Sequence, residues 1–469
     1  MEEDAVKFLG TFVSESFYYW ASVIMLMIHV GFLAYEGGVA RTKNVLATMT
    51  KNLLTLCSVG ISFFLFGWWV YNAFPLFPFG PLLGPWTDAE SLSDSGKAAM
   101  GLVEASYPWS PAVGPNPGDH LTGVFVFAFA LFAMTTGSIM SGALIERAKM
   151  GGYLILSVIL GSVCWVIGGA WGWNPYGWFF TKLGYHDFGC SAVVHGIAGF
   201  FTLGVLMVLG PRIGKYVNGK PVAILPHNLP LTLVGLMCIF VGFFGFLAAC
   251  AIMLPGQAGI ITIYGTPMTL SSMGLNTLLA LAAGIIGAYI SSKGDPFFTI
   301  SGGLAGIITI GAGIDLYQPA LIIVLAFAGA FLMPKIAMFI EKKGVDDVVG
   351  AVAVHGFCGF IGAVLPGIFA AGYVQGEGIP PISFVGQLTC ALVCCVILGF
   401  LPGLGSAYVL QKFGLLRVSK EEEIEGLDLA DCGYGAYPEA GVSGITMKPA
   451  PDPEIVATAP ATKLATESA

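Results

Sequence analysis

Charged side chains are scarce: Asp, Glu, Lys and Arg together make up 10% of the 469 residues, where about a quarter is usual for a water-soluble domain. The formal net charge of −8 excludes a nucleic-acid surface, which needs clustered basic residues. Much of that negative balance lies in one loop (Asp88, Glu90, Asp94, Glu104, Asp119) and in the run Glu421 to Glu425. Compact cysteine spacing is missing as well. Cys57, Cys164, Cys190, Cys238, Cys250, Cys358, Cys390, Cys394 and Cys395 fall in or beside apolar runs, and Cys432 lies near the C-terminal end. Such scatter predicts neither a metal site nor a disulfide framework; these cysteines read as small packing residues. No nucleophile–base set stands out, so neither catalytic residues nor a cofactor is expected.

What fills the chain is apolar: 56% of it is hydrophobic. Runs near 20 residues, long enough to cross about 30 Å of hydrocarbon, number eleven. They centre near Met25, Phe63, Phe132, Leu160, Gly199, Val241, Leu281, Gly306, Leu325, Gly362 and Leu392. The runs are continuously apolar rather than alternating, which predicts helices and not a barrel. With the N-terminus outside, all but Lys7, Lys97 and Lys182 of the 20 Lys and Arg fall on cytoplasmic segments. That asymmetry predicts an N-out, C-in, all-α polytopic membrane protein. The eighth and ninth runs are short and Gly-rich, and losing one would reverse every later charge. The first run, behind the acidic segment Met1 to Ser14, reads as a retained span rather than a cleaved signal.

One short pattern occurs twice, 160 positions apart: Asp187 to His195 (DFGCSAVVHGIAGF) and Asp347 to His355 (DVVGAVAVHGFCGF). A histidine inside a span is costly and therefore a functional candidate. His195 falls in the fifth run and His355 in the tenth, so the two copies cross in opposite directions. That is the signature of a five-plus-five inverted repeat, with the eleventh helix as an addition. Each Asp sits about 12 Å along the helix from its His, where it suits a helix N-cap. A carboxylate near a cation entrance is compatible with that cap.

At these residues the chain resembles the Amt/Mep/Rh ammonium transporter family, on the Amt side. The resemblance runs through GGVARTKN (Gly37 to Asn44), GALIERAKM (Gly142 to Met150), the two Asp-to-His motifs, GFFGF (Gly242 to Phe246) and LLRVSKEEEIEGLDLADCGYGAY (Leu415 to Tyr437). It implies a homotrimer in the plasma membrane, with a narrow pore in each protomer lined by His195 and His355. It also implies an outer recruitment site for ammonium or methylammonium at Trp171, Cys250 and Phe132, with Asp187 close by. Trp173 and Trp178 in the segment WGWNPYGW are alternatives to Trp171. Phe132 and Phe246 are implied as stacked phenyl rings closing the pore above the histidines. Relatives often carry Ser where this chain has Cys250, and Ala-Gly where it has Gly189 and Cys190. A thiol is a poorer hydrogen-bond partner than a hydroxyl, so weaker recruitment is expected here.

Three segments are expected: a membrane domain over 1–412, a cytoplasmic tail over 413–446 and a disordered terminus over 447–469. Within the membrane domain the inverted halves fall at about 10–212 and 226–374, with the eleventh helix at about 383–411. The resemblance implies that the tail, through Arg417, Glu425, Gly426 and Asp428, couples the pores to a PII-type signalling protein. The loop from about Phe74 to His120 is expected to cap the pore mouth. The expected activity is transport of ammonium, deprotonated at the mouth, with its proton passed between the twin histidines. The alternative is an ammonium sensor signalling through the tail.

Overall fold

The computed structural model describes residues 2–113, 123, 125–251 and 259–437. Eleven helical segments in it are long and apolar enough to cross a membrane, and each contains one of the eleven expected centres. The short, Gly-rich eighth and ninth are both present, as Pro296–Gly313 and Pro319–Lys342. Each opens on a proline in its first turn, where the missing N–H costs nothing. Among the described residues, strand is confined to a hairpin pairing Tyr216–Val217 with Lys220–Pro221. Its turn residues Asn218 and Gly219 both have positive φ, as a two-residue hairpin requires.

The packing is that of an inverted repeat. The second, third and fourth spans pack on one another in one half, and the seventh, eighth and ninth do so in the other. The first span (Phe8–Val39) lies along the sixth (Leu229–Cys250), and the fifth (Ser191–Leu209) meets the tenth (Val352–Phe369). Counterparts therefore face each other across the pseudo-two-fold. The glycines of the repeated motif show this residue by residue. A Cβ on Gly199 would collide with Gly356 and come within 2.9 Å of the His355 carbonyl carbon, while one on Gly359 would lie 2.7 Å from the Gly196 nitrogen. Equivalent positions exchange roles, and only hydrogen on each Cα lets the backbones touch. The eleventh span (Phe384–Lys412) lies outside this symmetry, against the fifth.

The segment expected to cap the mouth holds a helix, Asp94–Ala105, with Ser93 as its N-cap. Ala99, Met100 and Val103 of that helix bury themselves with Leu83 against Trp69 and Tyr176. Residues 114–120 of that loop, and the expected disordered terminus, lie outside the described residues.

Candidate functional site

Both motif aspartates are helix caps. The Asp187 carboxylate accepts the backbone N–H groups of Ser191, Ala192 and Val193 at 2.6–2.9 Å, and the Tyr185 hydroxyl donates to it at 3.1 Å. Asp347 accepts from Ala351 and Val352 at 3.0 and 2.7 Å. Each cap opens a π-helical turn, Ser191–Gly196 in one copy and Val352–Phe357 in the other. Such turns are rare and gather at functional sites. Here each carries one histidine.

The two rings meet: Nδ1 of His195 lies 3.0 Å from Nδ1 of His355, with both residues buried. Two facing Nδ1 atoms bond only if one ring donates N–H and the other accepts. A hydrogen bond between them thus requires opposite tautomers, one Nδ1 protonated and the other not. Nε2 of His195 is buried and has no hydrogen-bond partner among the described residues.

Above the pair runs a column of rings. His195 packs 5.7 Å from Phe246, Phe246 lies 4.7 Å from Phe132, and Phe132 lies 5.3 Å from Trp173. Phe132 and Phe246 are fully buried. They meet at 73°, so the expected stacked rings make an edge-to-face contact. That arrangement sets the positive edge of one ring on the negative face of the other.

Over the column lies a cavity of about 710 Å³ walled by Tyr18, Trp68, Tyr71, Phe129, Trp173 and Tyr373, among others, with Cys250 at its edge. Trp171, expected at the outer site, is not among the residues lining this cavity. Its indole donates to the Phe74 carbonyl at 3.1 Å and packs on Trp178 and Phe179, away from the cavity. Trp173, two residues on and past the helix end at Gly172, faces the cavity, and its Nε1 donates to the Asp187 carbonyl at 2.8 Å. Asp187 borders the cavity, but its oxygens are committed to the four donors named above.

His186 also lines the cavity and escaped the sequence reading, because its partners lie on distant segments. Its Nδ1 is 2.7 Å from Gln375 Oε1 and its Nε2 is 3.1 Å from Asp315 Oδ1. Gln375 Nε2 donates to the Gly184 carbonyl at 2.9 Å, which turns Oε1 toward the ring. Both ring nitrogens thus face acceptors, an arrangement that favours the imidazolium. Burial would lower its pKa, but the charge and hydrogen bond of Asp315, the Gln375 oxygen and the nearby Asp187 raise it above 6.5. A raised folded-state value means stability fully present below the ordinary pKa and lost as pH climbs through the raised one. Thermal stability of the purified protein is expected to fall as pH rises above about 6.5 more steeply than in His186→Gln. Parallel curves for the two proteins would show that His186 is uncharged.

At the far end of the helices the tail is docked. Arg417 donates to the Leu209 and Pro211 carbonyls and pairs with Glu423, each at 2.7 Å. Asp428 accepts from the Ala47 backbone N–H at 2.9 Å, capping the second span from 381 residues away. Gly426, at φ +117°, ends the helix Lys420–Glu425. Glu425 is exposed, and the buried ion-pair role belongs to Glu423, which the sequence reading passed over.

A bundle of inverted repeats with eleven membrane-crossing helices, and a buried pair of histidine rings beneath an aromatic cavity, has the build of a membrane transport protein. Residues 16–437 match the Ammonium Transporter Family, and the chain belongs to that family. It is 34% identical over 429 residues to ammonium transporter Amt2 of Methanocaldococcus jannaschii, covering 90% of each chain. With Amt2 of Archaeoglobus fulgidus it shares 32% identity, covering 89% of this chain and 87% of that one. Among solved structures, a "Sensor Amt Protein" superposes with a TM-score of 0.73 at 25% identity, covering 92% of this chain and all of the other. Candida albicans Mep2, at 21% identity, TM-score 0.66 and 87% coverage of each chain, shares the fold. Family membership supports ammonium transport as the activity.

Proposed function

We propose that ammonium is recruited as a cation in the aromatic cavity, loses a proton there and crosses as ammonia past Phe132 and Phe246, while His195 and His355 carry the proton. The observation that carries this is the Nδ1–Nδ1 contact of 3.0 Å at the foot of the ring column. Aromatic faces attract a small cation, and the committed oxygens of Asp187 leave those faces as the chief attraction. A charged ion passing two fully buried phenyl rings would lose its hydration without replacement, a heavy penalty. Neutral ammonia escapes it. Imidazole exchanges protons near neutrality, which suits the pair to the proton left behind.

The chain is placed N-out in the plasma membrane, the cavity facing outward, as the basic residues at the opposite end favour. The docked tail with its exposed Glu425 fits contact with neighbouring protomers of a homotrimer and with a PII-type partner. Current evoked by ammonium, methylammonium and potassium across proteoliposomes on a supported membrane tests the reading. Selective current is expected with ammonium, and its absence would sink transport. The likeness to a protein titled a sensor, covered over its whole length, favours a second reading, ligand binding that signals through the tail with little flux. The same measurement separates the two.

Trp173→Leu is expected to weaken apparent ammonium affinity about tenfold, the loss of one cation–π face. Trp171→Leu should leave that affinity within about twofold, since its indole points elsewhere. Reversed effects in concentration-dependent currents would return the recruitment role to Trp171.

A further inference from the structure

Two of the ten cysteines meet at the edge of the cavity. The Sγ atoms of Cys190 and Cys250 are 3.7 Å apart. Cys250, the last residue of the sixth span, lines the cavity and is partly exposed. Cys190 is fully buried behind it. We propose that these two thiols are a modification site, a dithiol that peroxides entering the cavity convert reversibly to a disulfide joining the two halves of the repeat.

The chemistry follows from who is exposed. Cys250 sulfur attacks one oxygen of hydrogen peroxide; the O–O bond breaks, giving the Cys250 sulfenic acid and, with the thiol proton, one water. Cys190 sulfur then attacks the Cys250 sulfur; the S–O bond breaks and a second water leaves. Two thiols are oxidised by two electrons and one peroxide is reduced. A disulfide bond is about 2.05 Å long, so the sulfurs close by roughly 1.6 Å. Cys250 must turn from the Phe246 carbonyl, to which its thiol donates at 3.3 Å. The product is neutral, so this apolar setting holds it without burying a charge.

The bridge would sit where movement matters. Phe246 is one turn below Cys250 on the same helix, and the Cys190 carbonyl accepts the backbone N–H groups of Val194 and His195 at 3.2 Å. Oxidation thus fastens the helix carrying the upper ring to the turn carrying the first histidine. Flux falls because the phenyl pair loses the freedom to part. This last step rests on the transport reading above; bond formation does not.

The test uses the full chain in proteoliposomes treated with hydrogen peroxide and digested without reductant. A linked peptide pair containing Cys190 and Cys250, lighter by two hydrogens and separated by dithiothreitol, is expected. Cys190→Ser should instead leave a Cys250 sulfenic acid that dimedone traps. Ammonium-evoked current in the unsubstituted chain should drop about fivefold on oxidation and recover with dithiothreitol, while the oxidised-to-reduced ratio stays near one in Cys190→Ser. Sulfinic acid at Cys250 without the linked pair would overturn the proposal. A linked pair with unchanged current would overturn its effect on flux. A reduced chain that passes no current would count against transport and leave the mass result to stand alone.

Discussion

His195→Ala is expected to lower ammonium-evoked current by about a hundredfold or more, the scale of losing a positioned proton-transfer group. The substitution removes one half of a contact that only a shared proton makes possible. It leaves Nδ1 of His355, now 3.0 Å from nothing, buried without its partner. That costs stability of about 1–3 kcal/mol, far less than unfolding a bundle of this size, so surviving protein can be assayed. His355→Ala should fall equally low, and the double variant no lower than either single one, because the rings act as a unit. Currents at saturating ammonium, normalised to reconstituted protein, decide it. Full current in His195→Ala would remove the relay, whereas strictly additive losses would mean two independent roles.

Legibility in the sequence followed the range of the interaction. The eleven spans are local facts, each carried by one apolar run, and all eleven stand where hydropathy places them. The twin histidines were also legible, because a repeated motif with glycines at fixed offsets encodes its own symmetric contact: Gly199 meets Gly356 as Gly359 meets Gly196. Trp171 and Trp173 were not separable. Trp171 is on the helix and Trp173 just past its end, and the side each takes is set by where that helix ends and by the Trp173 bond to the Asp187 carbonyl. Three segments far apart in sequence build the His186 site, one carrying Gly184 and the ring itself and the others Asp315 and Gln375, and no spacing links them. Cys190 and Cys250 are likewise 60 residues apart and looked like separate packing residues until the fold joined them. In the tail, Glu423 and Glu425 differ only in which helix face they occupy, a matter decided by Arg417.

Asp346→Ala is the substitution expected to cost most in stability, about 3–5 kcal/mol, the toll of breaking a buried ion pair. Asp346 accepts the backbone N–H, Nε and Nη2 of Arg212 at 2.9–3.0 Å. Its own carbonyl accepts from Arg147 at 2.5 Å, and the Arg147 guanidinium lies 4.0 Å from the carboxylate. Asp346, Arg147 and Arg212 are all buried, so Ala would leave Arg212 with Glu146 at 3.7 Å, itself bound to Arg41 at 2.7 Å, and both arginines with the more distant charge of Glu423. Burial pushes the Asp346 carboxyl up, but the Arg212 hydrogen bonds and the Arg147 and Arg212 charges outweigh it and hold the pKa at about 2. A depressed value means a contribution present above the ordinary carboxylate pKa of 3.8 and lost only as pH falls through about 2. The pair therefore persists across every pH at which the protein would be assayed, and salt screens it little because it is buried. Asp346→Asn separates charge from shape. It keeps one acceptor oxygen for Arg212 and should still lose most of the stability, since the two buried cations lose their nearest carboxylate. The next residue, Asp347, caps the turn that carries His355, so current should fall in protein that survives purification. Heating in detergent followed by size-exclusion chromatography measures the loss of monodisperse protein at a set temperature, a rate suited to irreversible unfolding. Half-lives of Asp346→Ala and Asp346→Asn equal to that of the unsubstituted chain would show that the arginines are held by their carbonyl contacts and not by this carboxylate.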